Sequence, residues 1–268
     1  MSILSLEEAI AHGNGGEFRH IVSVSGGKDS AALALYLWEK YPDIQFEYVF
    51  CDTGCELPET YEYLERLEAI LGQPVVHLNA LDLLGVAKKP GRNPFDVWLK
   101  EVYGNFLPSP RARWCTRVLK IKPFENYIGE DRAISYIGIR GDEDREGYQW
   151  KKPPVISEQP NIVPCYPFKD DRLGLGDIKT ILDDSGLGMP SYYEWRSRSG
   201  CYFCFYQQIG EWQGLKERHP DWFEKAKEYE EDGFTWVDGK TLEDIAAQPR
   251  REPIPAPDMT EGCAICHL

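Results

Sequence analysis

One stretch of the sequence, Ser25-Gly26-Gly27-Lys28-Asp29-Ser30, predicts how the chain folds. It directly follows the apolar run Ile21-Val22-Ser23-Val24, which is typical of a buried strand, and Asp29 is predicted to open a helix. Glycines let backbone N–H groups come close to an oxyanion, and a helix N-terminus adds partial positive charge. Lys28 adds a full charge and the two serines add hydroxyl donors. The stretch therefore predicts an anion site, suited to phosphate, between a strand and a helix.

The spacing of the stretch separates it from other phosphate loops. Its glycines are adjacent and Lys28 follows them at once, so it is not the G-x-x-x-x-G-K-[ST] loop. The alternative interpretation is an ordinary glycine turn between a strand and a helix. Two glycines alone would favour the turn, whereas all six residues behind a strand favour the phosphate site.

Strands and helices alternate through the first half of the chain. This alternation predicts a parallel sheet with helices on both faces, an α/β doubly wound fold. Ligands of such sheets bind outside the carboxyl ends of the strands, where Ser25, Asp52 and Arg140 fall. The predicted strands cover residues 19–24, 45–50, 75–78 and 133–139, and the main predicted helices cover 29–39, 58–71 and 119–128.

The composition of the sequence changes near Lys151, where prolines become frequent. We therefore predict a nucleotide-binding α/β domain over residues 1–150 and an irregular, proline-rich, cysteine-bearing helical region over 151–268 that packs on it. Helices are expected around residues 175–185 and 207–231 of that region.

The net charge of −14 argues against a broad nucleic-acid-binding surface. It does not exclude a local one, because five cations fall within twelve residues. They could serve a nucleotide, or a nucleic-acid end that a partner delivers. These cations are Arg111, Arg113, Arg117, Lys120 and Lys122.

The sequence also bears on location and on the state of its cysteines. No apolar run is long enough to cross a bilayer, and the first residues carry Glu7 and Glu8 but no basic segment. We therefore expect no signal peptide and a cytoplasmic protein without membrane contact. In that compartment the eight cysteines are expected to be thiols or metal ligands rather than disulfides.

The phosphate stretch resembles the PP-loop of ATP pyrophosphatases, enzymes that cut ATP between its α and β phosphates. Four further segments match in order, and together they resemble the phosphoadenylylsulfate (PAPS) reductase branch of the PP-loop superfamily over about residues 18–215. That resemblance implies an adenine-nucleotide alpha hydrolase-like fold. The four segments begin at Asp52-Thr53-Gly54, Trp114-Cys115-Thr116, Gly138-Ile139-Arg140 and Gly200-Cys201-Tyr202.

The resemblance implies a role for each matching residue, with Lys28, Asp29 and Arg140 as the catalytic set. The loop would hold the β and γ phosphates of ATP with its Mg²⁺, the strand end at Asp52 and Thr53 would meet adenine and ribose, and Arg140 would face the α-phosphate. Alternatively, Asp52 caps a turn and Arg140 pairs with Glu143. Asp142 and Glu143 could bind Mg²⁺ or orient Arg145. The expected nucleotide-binding residues are Ser23, Ser25, Gly26, Gly27, Lys28, Asp29, Ser30, Asp52, Thr53 and Arg140.

The cysteines resemble those of the iron–sulfur adenylylsulfate reductases, in which a cysteine pair joins a later Cys-x-x-Cys. Here only Cys115 of that pair is present, because Trp114 occupies the other position. Cys201 and Cys204 form the later Cys-x-x-Cys motif. We expect a [4Fe–4S] cluster on these three thiols, with Cys263 as the fourth ligand and Cys165 or Cys266 as alternatives. The competing hypothesis is structural zinc on Cys201, Cys204, Cys263 and Cys266.

Two enzyme hypotheses share this scaffold. A sulfonucleotide reductase attacks with a tail cysteine, but the tail Glu261-Gly262-Cys263 lacks that family's spacing. The complete phosphate loop favours ATP, since a sulfonucleotide lacks the β,γ-diphosphate that would fill it. The chain thus resembles the ATP-pyrophosphatase components of the Dnd and Ssp systems of DNA phosphorothioation, which implies sulfur from a cysteine desulfurase and a DNA acceptor held mainly by partners. Transfer RNA thiolation and a catalytically silent nucleotide-binding redox or zinc module remain as alternatives.

Overall fold

Five parallel strands form the central sheet in this computed structural model of the chain, which describes residues 3–14, 16–82, 85, 93–143, 157, 159–231 and 233–253. The order across the sheet is β3-β2-β1-β4-β5. This confirms the α/β fold with a parallel sheet. The strands are β1 (Arg19–Ser23), β2 (Phe46–Asp52), β3 (Val75–Asn79), β4 (Ala133–Tyr136) and β5 (Ile162–Cys165).

The strand order creates the crevice in which the site lies. β1 pairs with β2 on one side and with β4 on the other, so that Val22 stands opposite both Tyr48 and Tyr136. Successive connections therefore leave β1 in opposite directions, and the carboxyl ends of β1 and β4 form a topological switch point. The phosphate stretch directly follows β1 at that point.

Alternating residues of β1 serve two separate cores. Val22 packs in a cluster with Leu33 of the first long helix, whereas Ile21 packs on the opposite face with Phe124. This alternation is the expected result of a strand that is covered on both faces. A third cluster, which contains Trp212, joins the later helices to the segment around Trp114.

The helices follow the predicted pattern closely. One of them ends as its sequence requires, since Gly72 takes a positive φ of 66° directly after Leu71. The α-helices are α1 (Leu6–Ala11), α2 (Lys28–Lys40), α3 (Pro58–Leu71), α4 (Pro94–Val97), α5 (Trp114–Thr116), α6 (Lys122–Ile128), α7 (Pro167–Asp170), α8 (Leu175–Asp184), α9 (Ile209–Arg218), α10 (Pro220–Lys227) and α11 (Leu242–Ala246). Two π-helical segments, Trp98–Val102 and Arg117–Ile121, continue α4 and α5, and a 3₁₀ turn covers Ser191–Glu194.

The fifth strand corrects the sequence prediction, which had only four strands. β5 lies in the segment that was interpreted as proline-rich and irregular, and Pro164 stands inside it. Proline is tolerated there because β5 is at the edge of the sheet. The carbonyl of Pro164 accepts a hydrogen bond from Leu4 N at 3.2 Å. Helix α8 then packs against α2. The division at residue 150 stays a prediction, but the sheet draws one strand from beyond it.

Within the described ranges, every helix is too short or too polar to span a lipid bilayer.

Candidate functional site

The phosphate loop occupies the turn from β1 into α2. Gly26 has a φ of +71°, and a Cβ there would stand 2.5 Å from the Thr60 methyl carbon, so only glycine fits. A Cβ on Gly27 would stand 2.7 Å from the hydroxyl of Ser199. Helix α2 begins at Lys28, which aims the helix N-terminus at the turn.

Three serine hydroxyls meet beside this turn. The Oγ of Ser30 accepts from Ser25 N at 3.0 Å and donates to Gly27 O at 3.1 Å, while the Oγ of Ser25 lies 3.1 Å from that of Ser30. The third hydroxyl is that of Ser199, 3.3 Å from Ser25 Oγ. These hydrogen bonds fix the conformation of the loop and place hydroxyl groups beside the helix N-terminus, where they could donate to an anion.

The three predicted catalytic residues form one buried ion-pair cluster. Asp29 Oδ2 accepts from Lys28 Nζ at 2.9 Å, and Asp29 Oδ1 accepts from Arg140 Nη1 at 2.9 Å. Lys28 and Arg140 are only 4% and 3% exposed. Burial by itself would lower the pKa of Lys28, but Tyr193 and Asp29 hold it above its usual value. Asp29 therefore lies between two buried cations at the turn where α2 begins.

Arg140 is oriented by carboxylates on two sides. Its Nε donates to Asp142 Oδ1 at 3.0 Å, and Asp142 Oδ2 accepts from Leu175 N at 2.8 Å. Glu143 also contacts this arginine, since Arg140 N donates to Glu143 Oε2 at 3.4 Å and the charge of Glu143 contributes to raising the pKa of Arg140. Asp142 thus fixes the arginine fork, and its predicted alternative partner Arg145 lies outside the described residues.

Asp52 ends β2 and caps the turn that follows, as the alternative interpretation expected. Its Oδ1 accepts from Gly54 N and from the Tyr61 hydroxyl, both at 2.8 Å. Its Oδ2 lies 3.7 Å from His77 Nδ1. Burial would raise the pKa of the carboxyl, but the bonds from His77, Gly54 and Tyr61 hold it below its usual value. Asp52 therefore carries a negative charge at the carboxyl edge of the sheet, while contact with a nucleotide stays a prediction.

Thr53 connects that edge to a thiol. Its hydroxyl donates to Glu56 Oε1 at 2.6 Å and lies 3.2 Å from Cys201 Sγ. Glu56 is 3% exposed, and its pKa is raised by burial and by the charge of Asp52. No role was predicted for Glu56. Its position three residues after Thr53, just beyond the end of a strand, was the only feature of the sequence that could have indicated one. Ser23, by contrast, ends β1 with a buried hydroxyl that has no hydrogen-bond partner among the described residues.

The three thiols predicted as metal ligands are brought together. Burial, with a smaller contribution from nearby Cys204, raises the pKa of Cys201 and raises that of Cys115 to about 12. Arg198 Nη2 donates to Cys204 Sγ at 3.0 Å. The described residues contain no trio of His, Cys, Asp or Glu side chains already placed around one metal position. The donor set fits three of the four thiolates of a cluster or zinc site, because metal binding would deprotonate and draw together thiols that already interact.

The candidates for the fourth ligand fall in different places. Cys165 is the last residue of β5 and packs in the same cluster as Leu33, whereas Cys115 and Cys201 pack against the cluster around Trp212. This position removes it as a practical alternative. Cys263 and Cys266 lie outside the described residues, so their role stays a prediction.

Residues 192–204, which we call the strap, connect the phosphate loop to the thiols. The Tyr192 hydroxyl donates to Gly26 O at 2.5 Å, and Lys28 N lies 3.4 Å from the Tyr193 hydroxyl. Ser199 then reaches Ser25, and the strap ends in Cys201 and Cys204. Neither the tyrosine pair nor Ser199 had a predicted function, because these contacts join residues more than 160 positions apart.

Comparison with known proteins places the chain in a family. The family model described as "phosphoadenosine phosphosulfate reductase domain" matches residues 19–199. Two uncharacterized proteins of Methanocaldococcus jannaschii are 28% identical to the chain, MJ0066 over 81% of it and MJ0973 over 76% of it. An uncharacterized 37.8 kDa protein of Escherichia phage 186 is 28% identical over 79% of this chain and 74% of its own length. The chain spans only 44% and 45% of the two archaeal relatives.

Two solved structures show a limited similarity to the chain. A PAPS reductase from Candida auris, in a phosphate complex, has a TM-score of 0.47 at 14% identity, over 68% of this chain and 81% of that one. The U34-tRNA thiolase NcsA from Methanococcus maripaludis, with its [4Fe–4S] cluster, has a TM-score of 0.43 at 16% identity, over 93% of this chain and 80% of that one. The family match covers most of the chain and ends at the strap, so the conclusion rests on it: this chain belongs to the PAPS reductase domain family of the PP-loop superfamily.

Proposed function

We propose that this protein is an ATP pyrophosphatase that adenylates an acceptor and so prepares it for sulfur transfer, in the modification of DNA by phosphorothioate. One observation carries the proposal. A complete phosphate loop, with Lys28 and Arg140 buried around Asp29, is connected by the strap to three neighbouring thiols. ATP offers the β,γ-diphosphate that such a loop can hold, and the thiols could serve the sulfur transfer that follows.

The charged cluster supports attack at the α-phosphorus. The loop and the N-terminus of α2 would hold the β and γ phosphates, and the Arg140 fork would lie against the α-phosphate. An acceptor oxygen forms a bond to the α-phosphorus while the bond from that phosphorus to the bridging oxygen breaks, and pyrophosphate leaves with the electron pair. Lys28 and Arg140 offset the negative charge that builds during this step. Asp142 and Glu143, which lie beside Arg140, are the carboxylates that could hold the Mg²⁺ bound to the phosphates.

The thiols supply the second half of the proposal. Cys115, Cys201 and Cys204, with Cys263, would hold a [4Fe–4S] cluster, with structural zinc as the alternative. The cluster, when bound, would present sulfur received from a cysteine desulfurase. The chain's own residues fix the thiols in place, since Thr53 contacts Cys201 and Arg198 donates to Cys204. AMP is then a good leaving group from the adenylated acceptor, which is the chemical purpose of breaking the α–β bond.

The proposal is tested on protein purified without oxygen. Iron, zinc and sulfide are measured first, and pyrophosphate is then assayed with ATP in the presence of a DNA acceptor. We expect iron with sulfide, and pyrophosphate release that is lost in Lys28→Ala. Thr241→Ala, which removes the N-cap of α11 far along the chain, is the matched control and is expected to retain release.

Three results would contradict parts of this account. Sulfite formed from a sulfonucleotide with thioredoxin would establish a reductase in place of the ATP reaction. Full zinc occupancy without iron would remove the cluster. Nucleotide binding with no pyrophosphate under any acceptor condition, including transfer RNA, would indicate a silent binding module.

A further inference from the structure

A group of cations and one tyrosine borders the thiol site. We call it the cationic rim, and it consists of Arg111, Arg113, Arg117, Arg198 and Tyr206. The guanidinium carbons of Arg113 and Arg198 lie 5.2 and 4.8 Å from the centre of the Tyr206 ring. The Tyr206 ring thus contacts two guanidinium groups, whose planar set of donors suits phosphate oxygens.

The rim is continuous with the candidate reaction site. Arg198 contacts Tyr206 with its guanidinium and also donates to Cys204 Sγ at 3.0 Å. Cys115 lies between Arg113 and Arg117 along the chain, at the start of the helix that carries all three. An anionic group on the rim would therefore lie beside the thiols.

The exposed arginines of the rim differ from other arginines of this acidic chain. Arg19 pairs with Glu47, Arg132 with Glu17 and Arg250 with Glu217. In the part of the chain that the structure describes, no carboxylate forms an ion pair with the exposed rim arginines, which are Arg111, Arg113 and Arg117. Among the described residues these three charges have no carboxylate partner, which favours an anionic partner at this face even though the chain has a net charge of −14.

We propose that the cationic rim binds the phosphodiester backbone of a single-stranded segment of DNA and presents it to the thiol site. The proposal rests on the proposed function and names how its acceptor is held. Guanidinium groups suit phosphate oxygens, and arginine planes and aromatic rings also stack on bases that have left a duplex. Phe205, half-buried and 4.6 Å from Tyr206 between ring centres, adds a second ring at the same place.

The test compares two double variants by fluorescence anisotropy with a labelled single-stranded DNA oligonucleotide over a range of salt concentrations. Arg113→Ala with Arg117→Ala removes two exposed rim charges. Arg132→Ala with Lys179→Ala removes two exposed charges elsewhere, Arg132 lying just before β4 at the opposite edge of the sheet. We expect the rim variant to lose on the order of 10-fold in affinity near 0.1 M salt and about 1.4 in the slope of log affinity against log salt, roughly 0.7 for each phosphate contact. The control variant should match the wild type.

Other outcomes would overturn the inference. Equal losses in both variants, or competition by polyglutamate as strong as by DNA, would show unspecific charge attraction. Preference for an RNA hairpin over the DNA strand would assign the rim to another acceptor. ATP binding is measured on the same samples and is expected to be unchanged in the rim variant. Wild-type protein that cleaves ATP without binding DNA would contradict DNA binding by the rim but not the proposed ATP cleavage. Wild-type protein that binds DNA without cleaving ATP would contradict the proposed ATP cleavage but not DNA binding by the rim.

Discussion

At the scale of single residues, the site depends on how Arg140 is held. Its fork contacts Asp29 and Asp142, each at about one hydrogen-bond length, and lysine would keep the charge but lose this geometry. We predict that Arg140→Lys lowers the rate of pyrophosphate release on the order of 100-fold, as loss of one preorganised donor does elsewhere. Arg250→Lys, on the surface, is the control and should be neutral. A rate for Arg140→Lys close to wild type would show that the fork has no role in turnover.

The Asp52–His77 pair predicts a dependence of stability on pH. The Asp52 carboxylate, which lies 3.7 Å from His77 Nδ1, raises the pKa of His77 above its usual 6.5. The stabilisation is therefore complete below that value and is lost as pH rises through the raised pKa. Because the His77 side chain is 41% exposed, the effect should stay below about 1 kcal/mol. Thermal unfolding should show His77→Gln less stable than wild type near pH 6 and similar to it near pH 9. A difference that is constant with pH would exclude the ion pair.

At the scale of elements, the strap is the feature with the clearest consequence. The Tyr192 hydroxyl donates to a carbonyl of the phosphate loop, whereas the Tyr63 hydroxyl donates to Gly188 O at 2.9 Å, away from that loop. Tyr192→Phe and Tyr63→Phe should each lower the free energy of unfolding by about 1–3 kcal/mol, because each leaves a backbone acceptor without its bond. Calorimetry should show weaker ATP binding for Tyr192→Phe alone. Equal ATP affinity in both variants would mean that the strap does not shape the loop.

The sequence could predict elements whose signals are local. Pro58 and Gly72 delimit α3, and adjacent glycines behind a β-branched run locate the phosphate turn, because each signal acts through its own backbone. β5 could not be found in this way, since Pro164 normally argues against a strand and only its place at the sheet edge makes it acceptable. The contact of Ser199 with Ser25 likewise depends on tertiary packing between segments 174 residues apart.

At the scale of the whole molecule, the packing predicts one cooperative unit. Leu182 of α8 lies in the same core cluster as Leu33 of α2, and Leu242 of α11 lies in the cluster around Trp212. Leu182→Ala and Leu242→Ala should each lower the free energy of unfolding by about 2–5 kcal/mol. Circular dichroism and tryptophan fluorescence should report one coincident transition in both variants. Two transitions, of which each substitution moves only one, would instead show that the two core clusters unfold separately.

The overall architecture was predictable because strand and helix periodicities alternate along the first part of the chain. The location of the site was predictable as well, since a parallel sheet gathers strand ends at one edge. What the sequence could not provide is which side chains meet there. Asp142 orients Arg140, and Glu56 joins Thr53 beside Cys201, through contacts that no spacing rule encodes.

The central claim is that the loop grips ATP for cleavage between its α and β phosphates, and product analysis tests it most directly. Wild-type protein and Lys28→Ala are incubated with ATP labelled at the α-phosphate and with single-stranded DNA, and the products are separated. We predict label in AMP or in adenylated acceptor, with an equal amount of pyrophosphate, and neither product from Lys28→Ala. Label in ADP with release of inorganic phosphate, or release that is unchanged in Lys28→Ala, would contradict the account.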